Sequence, residues 1–156
     1  MGKKSAGIIL YRKKNNILEI LLVHPGGPFW AKKDEGAWSI PKGEFDDNEE
    51  PLAAAKREFE EELGKKARAE KFIELSPVKN KSNKIVYAFA AEEDFDTTNI
   101  TSNLIWVDWP PRSGKRMEIP EVDRAEWFDT TTAKAKILAY QLPFIEELNS
   151  KFKIKN

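Results

Sequence analysis

Apolar and polar positions alternate along the chain in blocks that read as short strands and one long helix. Ser5–Tyr11 and Leu18–Val23 are β-branched-rich runs separated by the polar Lys13-Lys14-Asn15-Asn16, the pattern of a β-hairpin. From His24 to Gly36 the pattern lapses, with glycines and prolines interrupting it and two lysines within it, so this stretch is a long loop. Loops of that length in a compact domain are often functional. Trp38–Pro41 returns to extended structure, and Pro51 to Leu63 then carries helical spacing, with proline at the first position and Gly64 just past the end. Further strands are expected at Lys71–Val78, Lys84–Ala91, Leu104–Trp109 and Glu126–Phe128, with a polar turn at Lys79–Asn83. Thr130 or Thr131 is placed to cap a helical turn, and Tyr140–Leu148 carries apolar residues at helical spacing before the basic tail Lys151–Asn156. Strands on both sides of the long helix imply an α/β fold, one mixed sheet with helices packed on both faces.

The long helix has three distinct sides. At about 100° per residue, Leu52, Ala55, Phe59 and Leu63 fall within an arc of roughly 80° that should face the core. Lys56 and Glu60 lie on the opposite, solvated side. Glu58, Glu61 and Glu62 share a third arc roughly 100° wide beside the buried stripe, with Ala54 projecting into the same arc and small enough to leave room above a bound metal. Like charges at i,i+4 repel by about 0.2–0.5 kcal/mol in water, and more as they are desolvated. Arg57 reaches Glu61 along the helix, but one guanidinium does not neutralise three acids. Convergent carboxylate oxygens are the ligand set of a hard divalent cation such as Mg²⁺.

Composition narrows the chemistry further. The 156 residues and 17.9 kDa fit one domain, 1–156, with a single core. A hydrophobic content of 40% with nine Phe and five Trp argues for a packed globule. Lys plus Arg and Asp plus Glu balance at 26 each, so no net field draws the chain to nucleic acid or to an anionic membrane. The first residues run straight into a strand without a signal-peptide apolar stretch, and no apolar run approaches the roughly 20 residues of a membrane span, which suggests a cytoplasmic protein. With no cysteine and His24 as the single histidine, thiol nucleophiles, Cys-ligated zinc, two-His zinc sites and Ser-His-Asp triads are set aside. Carboxylates and cations must carry any chemistry.

Residues 43–65 read Gly43, five residues, Glu49, seven residues, then Arg57-Glu58-Phe59-Glu60-Glu61-Glu62-Leu63-Gly64. This resembles the Nudix box, in which Gly, Glu, Arg-Glu, an apolar residue, Glu-Glu and Gly recur at this spacing. The final apolar position of that pattern is Lys65 here. The resemblance implies an α/β/α sandwich and hydrolysis of a nucleoside diphosphate linked to another group, with Mg²⁺ (or Mn²⁺) as cofactor. Carried over, Glu58, Glu61 and Glu62 become metal ligands, with the Lys42 carbonyl a further oxygen, while Gly43, Glu49, Arg57 and Gly64 become structural or orienting. The general base is sought among Glu61, Glu58 and Glu121, in that order.

Outside the box, Trp38-Ser-Ile-Pro41-Lys42-Gly43 and Lys84-Ile-Val-Tyr87 resemble the asymmetric diadenosine tetraphosphate hydrolase branch, and Glu121-Val-Asp-Arg-Ala-Glu-Trp127 resembles its later Glu-Val segment. Lys42 and Lys84 are then expected to contact phosphate, Tyr87 to contact or stack on substrate, and Glu121 to assist the metal. Two departures stand out. Glu44 occupies the place of a common His, and Trp109–Arg116 looks like a basic insertion that brings Arg112, Lys115 and Arg116 towards a long anionic substrate. The expected function is a Mg²⁺-dependent pyrophosphohydrolase of a dinucleoside polyphosphate or nucleoside triphosphate. The alternatives are removal of pyrophosphate from RNA 5′ ends and a non-catalytic nucleotide-binding module. The expected partner is a small nucleotide, without membrane and with no role for nucleic acid, and the protein is expected to be a monomer or homodimer.

Overall fold

The computed structural model describes residues 3–152. Strands β1 (Lys4–Lys14) and β2 (Ile17–Pro25) form the expected hairpin, paired Lys14↔Ile17 across Asn15 and Asn16. Both turn residues adopt positive φ, 54° and 65°, which asparagine tolerates and a two-residue hairpin turn requires. The main sheet runs β4 (Ile73–Glu74), β6 (Ile85–Glu92), β1, β2, β9 (Val122–Asp129). Strand β3 (Lys42–Phe45) pairs with the first half of β1 and β5 (Val78–Lys79) with β6. Only β1 and β6 pair in parallel, so the sheet is mixed.

The apolar runs of β1 and β2 are continuous because both faces of the sheet are covered. Ala6, Ile8, Leu10, Leu21 and Val23 pack in one cluster with Ala55, Phe59 and Leu63 of helix α1 (Pro51–Leu63). Ile9, Tyr11, Ile20 and Leu22 pack in a second with Ala133 of α2 (Thr130–Lys136) and Phe144, Ile145 and Leu148 of α3 (Leu142–Lys151). The result is an α/β/α sandwich. Among the described residues, no helix is long and apolar enough to cross a membrane.

The structure departs from the expected elements in several places. Lys71–Val78 is two short strands, β4 and β5, separated by Leu75-Ser76-Pro77, where proline has no N–H to give to a ladder. β3 and β8 (Arg116–Pro120) are additional. β8 begins at the last residue of the supposed insertion, which is thus the turn of a hairpin, and pairs with β7 (Leu104–Asp108) as a separate two-stranded sheet. The cap of α2 is Asp129, whose carboxylate accepts from the Thr132 N–H at 2.7 Å, one residue before the expected threonines. Ala54 is fully buried in the α1 cluster, so it does not open space beside the acids. Residues 153–156 of the basic tail lie outside the described residues.

Candidate active site

Helix α1 lies across β1 and β3, which brings its acidic arc over the glycine at the second position of β3. A Cβ built on Gly43 would stand 1.8 Å from Glu58 Oε1, so only glycine lets that carboxyl settle there. Glu58 is 7% exposed. Burial pushes its carboxyl above the usual range, and the negative charges of Glu61 and Glu121 add to this while Arg57 opposes it.

Arg57 holds the outer side of the cluster. Its Nε and Nη2 donate to the two oxygens of Glu49, each at 2.9 Å, and Nη1 donates to Glu58 Oε2 at 2.6 Å and to Glu61 Oε1 at 3.4 Å. The two-oxygen grip on Glu49 fixes the guanidinium plane and keeps the Glu49 carboxyl below the ordinary carboxylate range. A single arginine thus touches three acids. The acid it does not touch is Glu62.

Glu62 is 4% exposed and has no ion-pair partner among the described residues. Burial first, then the charges of Glu121 and Glu58, push its carboxyl up to about 9, partly offset by the charge and backbone N–H of Lys42. Glu62, Glu121 and Lys42 line one cavity of ≈ 210 Å³, walled also by Trp30, Ser39 and Ile40. Glu121 comes from the turn between β8 and β9, about 60 residues along the chain. A strut that the sequence did not advertise holds it there. The Asn103 side chain donates to Glu121 Oε1 at 3.0 Å, its carbonyl accepts from the Glu121 N–H at 3.0 Å, and its own N–H donates to the Glu61 carbonyl at 2.8 Å. Thr101 N–H likewise donates to the Leu63 carbonyl at 3.1 Å. The segment before β7 therefore ties the last turn of α1 to the Glu121 turn. A lone asparagine in a loop carries no periodic signal that reveals such a role.

The expected site residues separate into groups. Glu62, Glu121 and Lys42 line the cavity, Glu58 sits within charge range of Glu62 and Glu121 without lining it, and Glu61 has its side chain 44% exposed. Glu49, Arg57, Gly43 and Gly64 support it, Gly64 ending α1 at φ 78°. Lys84 Nζ donates instead to Glu44 Oε2 at 2.6 Å, and Tyr87 packs edge-on to Phe45 with centroids 6.0 Å apart. Neither lines the cavity. Arg112, Lys115 and Arg116 are exposed on the β7–β8 hairpin and its tip, with the Arg116 guanidinium over the Trp106 ring. His24 is fully buried, its ring nitrogens facing Asp123 Oδ1 at 2.8 Å and the Lys33 carbonyl at 2.7 Å, so it anchors the long loop. No three of the acids are drawn close enough to grip an ion as they stand, among the described residues, because Arg57 engages Glu58 and Glu61 while Glu62 and Glu121 face the cavity.

A family model described as NUDIX domain matches residues 1–148. The chain belongs to the Nudix family. It is a Nudix hydrolase. Solved structures share the fold. The NUDIX domain of Shewanella oneidensis NrtR, complexed with ADP ribose, superposes with a TM-score of 0.67 at 15% identity over 98% of this chain and 90% of that one. A binary complex of C. elegans Ap4A hydrolase gives 0.63 at 20% identity, covering 96% of each chain. A mutT/nudix family protein from Listeria innocua gives 0.61 at 22% identity, over 96% of this chain and 92% of that one.

Proposed function

We propose that this Nudix hydrolase is a Mg²⁺-dependent pyrophosphohydrolase that cleaves a phosphoanhydride bond of a small nucleotide, a dinucleoside polyphosphate or a nucleoside triphosphate. The observation that carries the reading is Glu62, a carboxyl buried near two others and without an ion-pair partner among the described residues, the charge of Lys42 offsetting only part of its burial. A buried acid cluster of this kind is costly unless a positive charge completes it, and its all-oxygen donors suit Mg²⁺, with Mn²⁺ compatible. Glu58, Glu62, Glu121 and the Lys42 carbonyl would hold the ion, with Glu61 joining from the margin. Held there, Mg²⁺ would supply a lowered pKa for an attacking water and a positive charge beside the anhydride oxygens.

The remaining work falls to the side chains. Lys42, which lines the cavity, brings a positive charge that attracts phosphate oxygens and orients the anhydride. Glu121 is a better-placed base than Glu61, because it lines the cavity; Asn103 fixes one of its oxygens, and the other would serve either the ion or the attacking water. Arg57 keeps Glu58 oriented through its grip on Glu49. The C. elegans neighbour, an Ap4A hydrolase, and the ADP-ribose complex of the NrtR domain support a nucleotide as substrate. The test is a product assay with Mg²⁺ on dinucleoside polyphosphates and nucleoside triphosphates, comparing wild type with Glu62→Gln. The expected result is a fall in kcat by orders of magnitude in a folded variant, and unchanged turnover would overturn the assignment.

A further inference from the structure

A second cleft, of ≈ 350 Å³, opens beside the acidic cavity and shares Pro25, Trp30 and Glu121 with it. One wall is the loop carrying Phe29 and Trp30, and the other is the inner face of the β7–β8 hairpin, with Ile105, Val107 and Ile119. The hairpin alternates, so Ile105 and Val107 point inward and are half-buried while Leu104 and Trp106 point outward and are exposed. Its volume falls in the range of about 300–1,000 Å³ usual for small-molecule sites.

The walls are held in place from behind. Phe29 and Trp30 stand edge to face with centroids 5.0 Å apart, and the Lys33 ammonium lies 4.4 Å over the Phe29 ring. Lys33 is itself fixed through its carbonyl by buried His24. At the floor, the Gly26 N–H donates to the Glu121 carbonyl at 3.0 Å, and a Cβ on Gly26 would fall 2.1 Å from the Pro120 carbonyl oxygen. The loop and the end of β8 are therefore in direct backbone contact, and Glu121 belongs to both chambers.

Among the described residues, the charged side chains lining this cleft are Asp108 and Glu121, and Arg112, Lys115 and Arg116 do not line it. A phosphate is repelled there, whereas a flat neutral ring is accepted. We propose that this cleft is a stacking subsite for the nucleobase of the nucleotide whose anhydride lies at the acidic cavity, an inference that rests on the function proposed above. With aromatic and aliphatic walls, and Trp30 and Trp109 the lining side chains that carry an N–H donor among the described residues, the subsite binds chiefly by ring contact and discriminates weakly between bases. It assigns the hairpin a substrate-binding role through its apolar inner face, in place of the expected role for its basic residues.

The experiment compares nucleoside triphosphates with inorganic tripolyphosphate, an anhydride without a base, and separately titrates adenosine and uridine 5′-monophosphates by calorimetry. Val107→Trp fills the cleft, and Phe29→Ala removes a wall residue that is 51% exposed and so carries little folding risk. Each is expected to lower the ratio of kcat/KM for nucleotide over tripolyphosphate at least tenfold and to weaken monophosphate binding at least tenfold. Leu104→Ser, on the outer face, leaves both unchanged. The two monophosphates should bind within about tenfold of each other. An unaltered ratio and unaltered monophosphate binding in the folded Phe29→Ala protein overturn the subsite, as does a hundredfold preference for one base. Absence of any anhydride hydrolysis by wild type overturns the proposed function instead. The monophosphate titrations then still decide the subsite.

Discussion

Replacing Glu62 by glutamine isolates the cost of its buried charge. In the folded, metal-free protein the carboxyl is pushed up to about 9, against 4.5 in an unperturbed glutamate, with Glu58, Glu121 and Lys42 facing it. Between those two values the folded state keeps a proton that the unfolded state has released. Stability therefore falls as pH rises through this window, by about 1.4 kcal/mol per pH unit. At pH 7.5 the accumulated penalty is at most about 4 kcal/mol, equivalent to roughly 8–16 °C in Tm for a chain of this size. Glutamine keeps the shape and carries no charge, so the stability of Glu62→Gln relative to wild type should climb steadily from pH 5 to pH 9. The slope is the useful quantity, because any fixed cost of burying the amide, about 1–3 kcal/mol, cancels from it. The assay is denaturant unfolding followed by circular dichroism, in chelator, at half-unit pH steps. A difference between variant and wild type that is flat across this range would refute the reasoning. Added Mg²⁺ should stabilise wild type more than the variant and release protons at pH 7, since a ligand carboxylate must be deprotonated.

The other predictions concern the supports of the acid cluster. Gly43→Ala should displace Glu58, because the added methyl would overlap its oxygen; a loss of about 1–3 kcal/mol in thermal unfolding and at least a tenfold fall in kcat/KM are expected, and a fully active variant would show that Glu58 need not sit there. Arg57→Lys removes the planar fork that spans both Glu49 oxygens, and Mg²⁺ titration of activity should show metal affinity about 10–100-fold weaker. Asn103→Ala frees one oxygen of Glu121 while its backbone bonds persist, so kcat should fall by about 10–100-fold with a small change in Tm; loss confined to stability would assign Asn103 a structural role only.

Much of the helix and its acid set was legible in the order of residues, because a helix fixes the phase of its side chains within a turn or two. Proline 51, the buried stripe of Ala55, Phe59 and Leu63, and Gly64 at φ 78° all follow from neighbours a few positions apart. The strands β1, β2 and β6 were also legible, since burial on both faces leaves continuous apolar runs. Short strands were not: β4 and β5 are two residues each, and their existence depends on the neighbouring β6 offering its ladder. The resemblance implied substrate contacts for Lys84 and Tyr87, and it carried no sign of the partners that the fold gives them, Glu44 and Phe45.

The sequence by itself determined which acids share a face of α1 and that a hard cation suits them. Only the tertiary structure decided why Gly43 must be glycine, which acid is left without a cation, that Asn103 fastens Glu121 to the helix, and that the hairpin turns its apolar side to a cleft. The physical reason is range. Helical phase is set by bonds between residues three and four apart, whereas these contacts join segments tens of residues apart through strand register and close backbone approach, which no local pattern encodes.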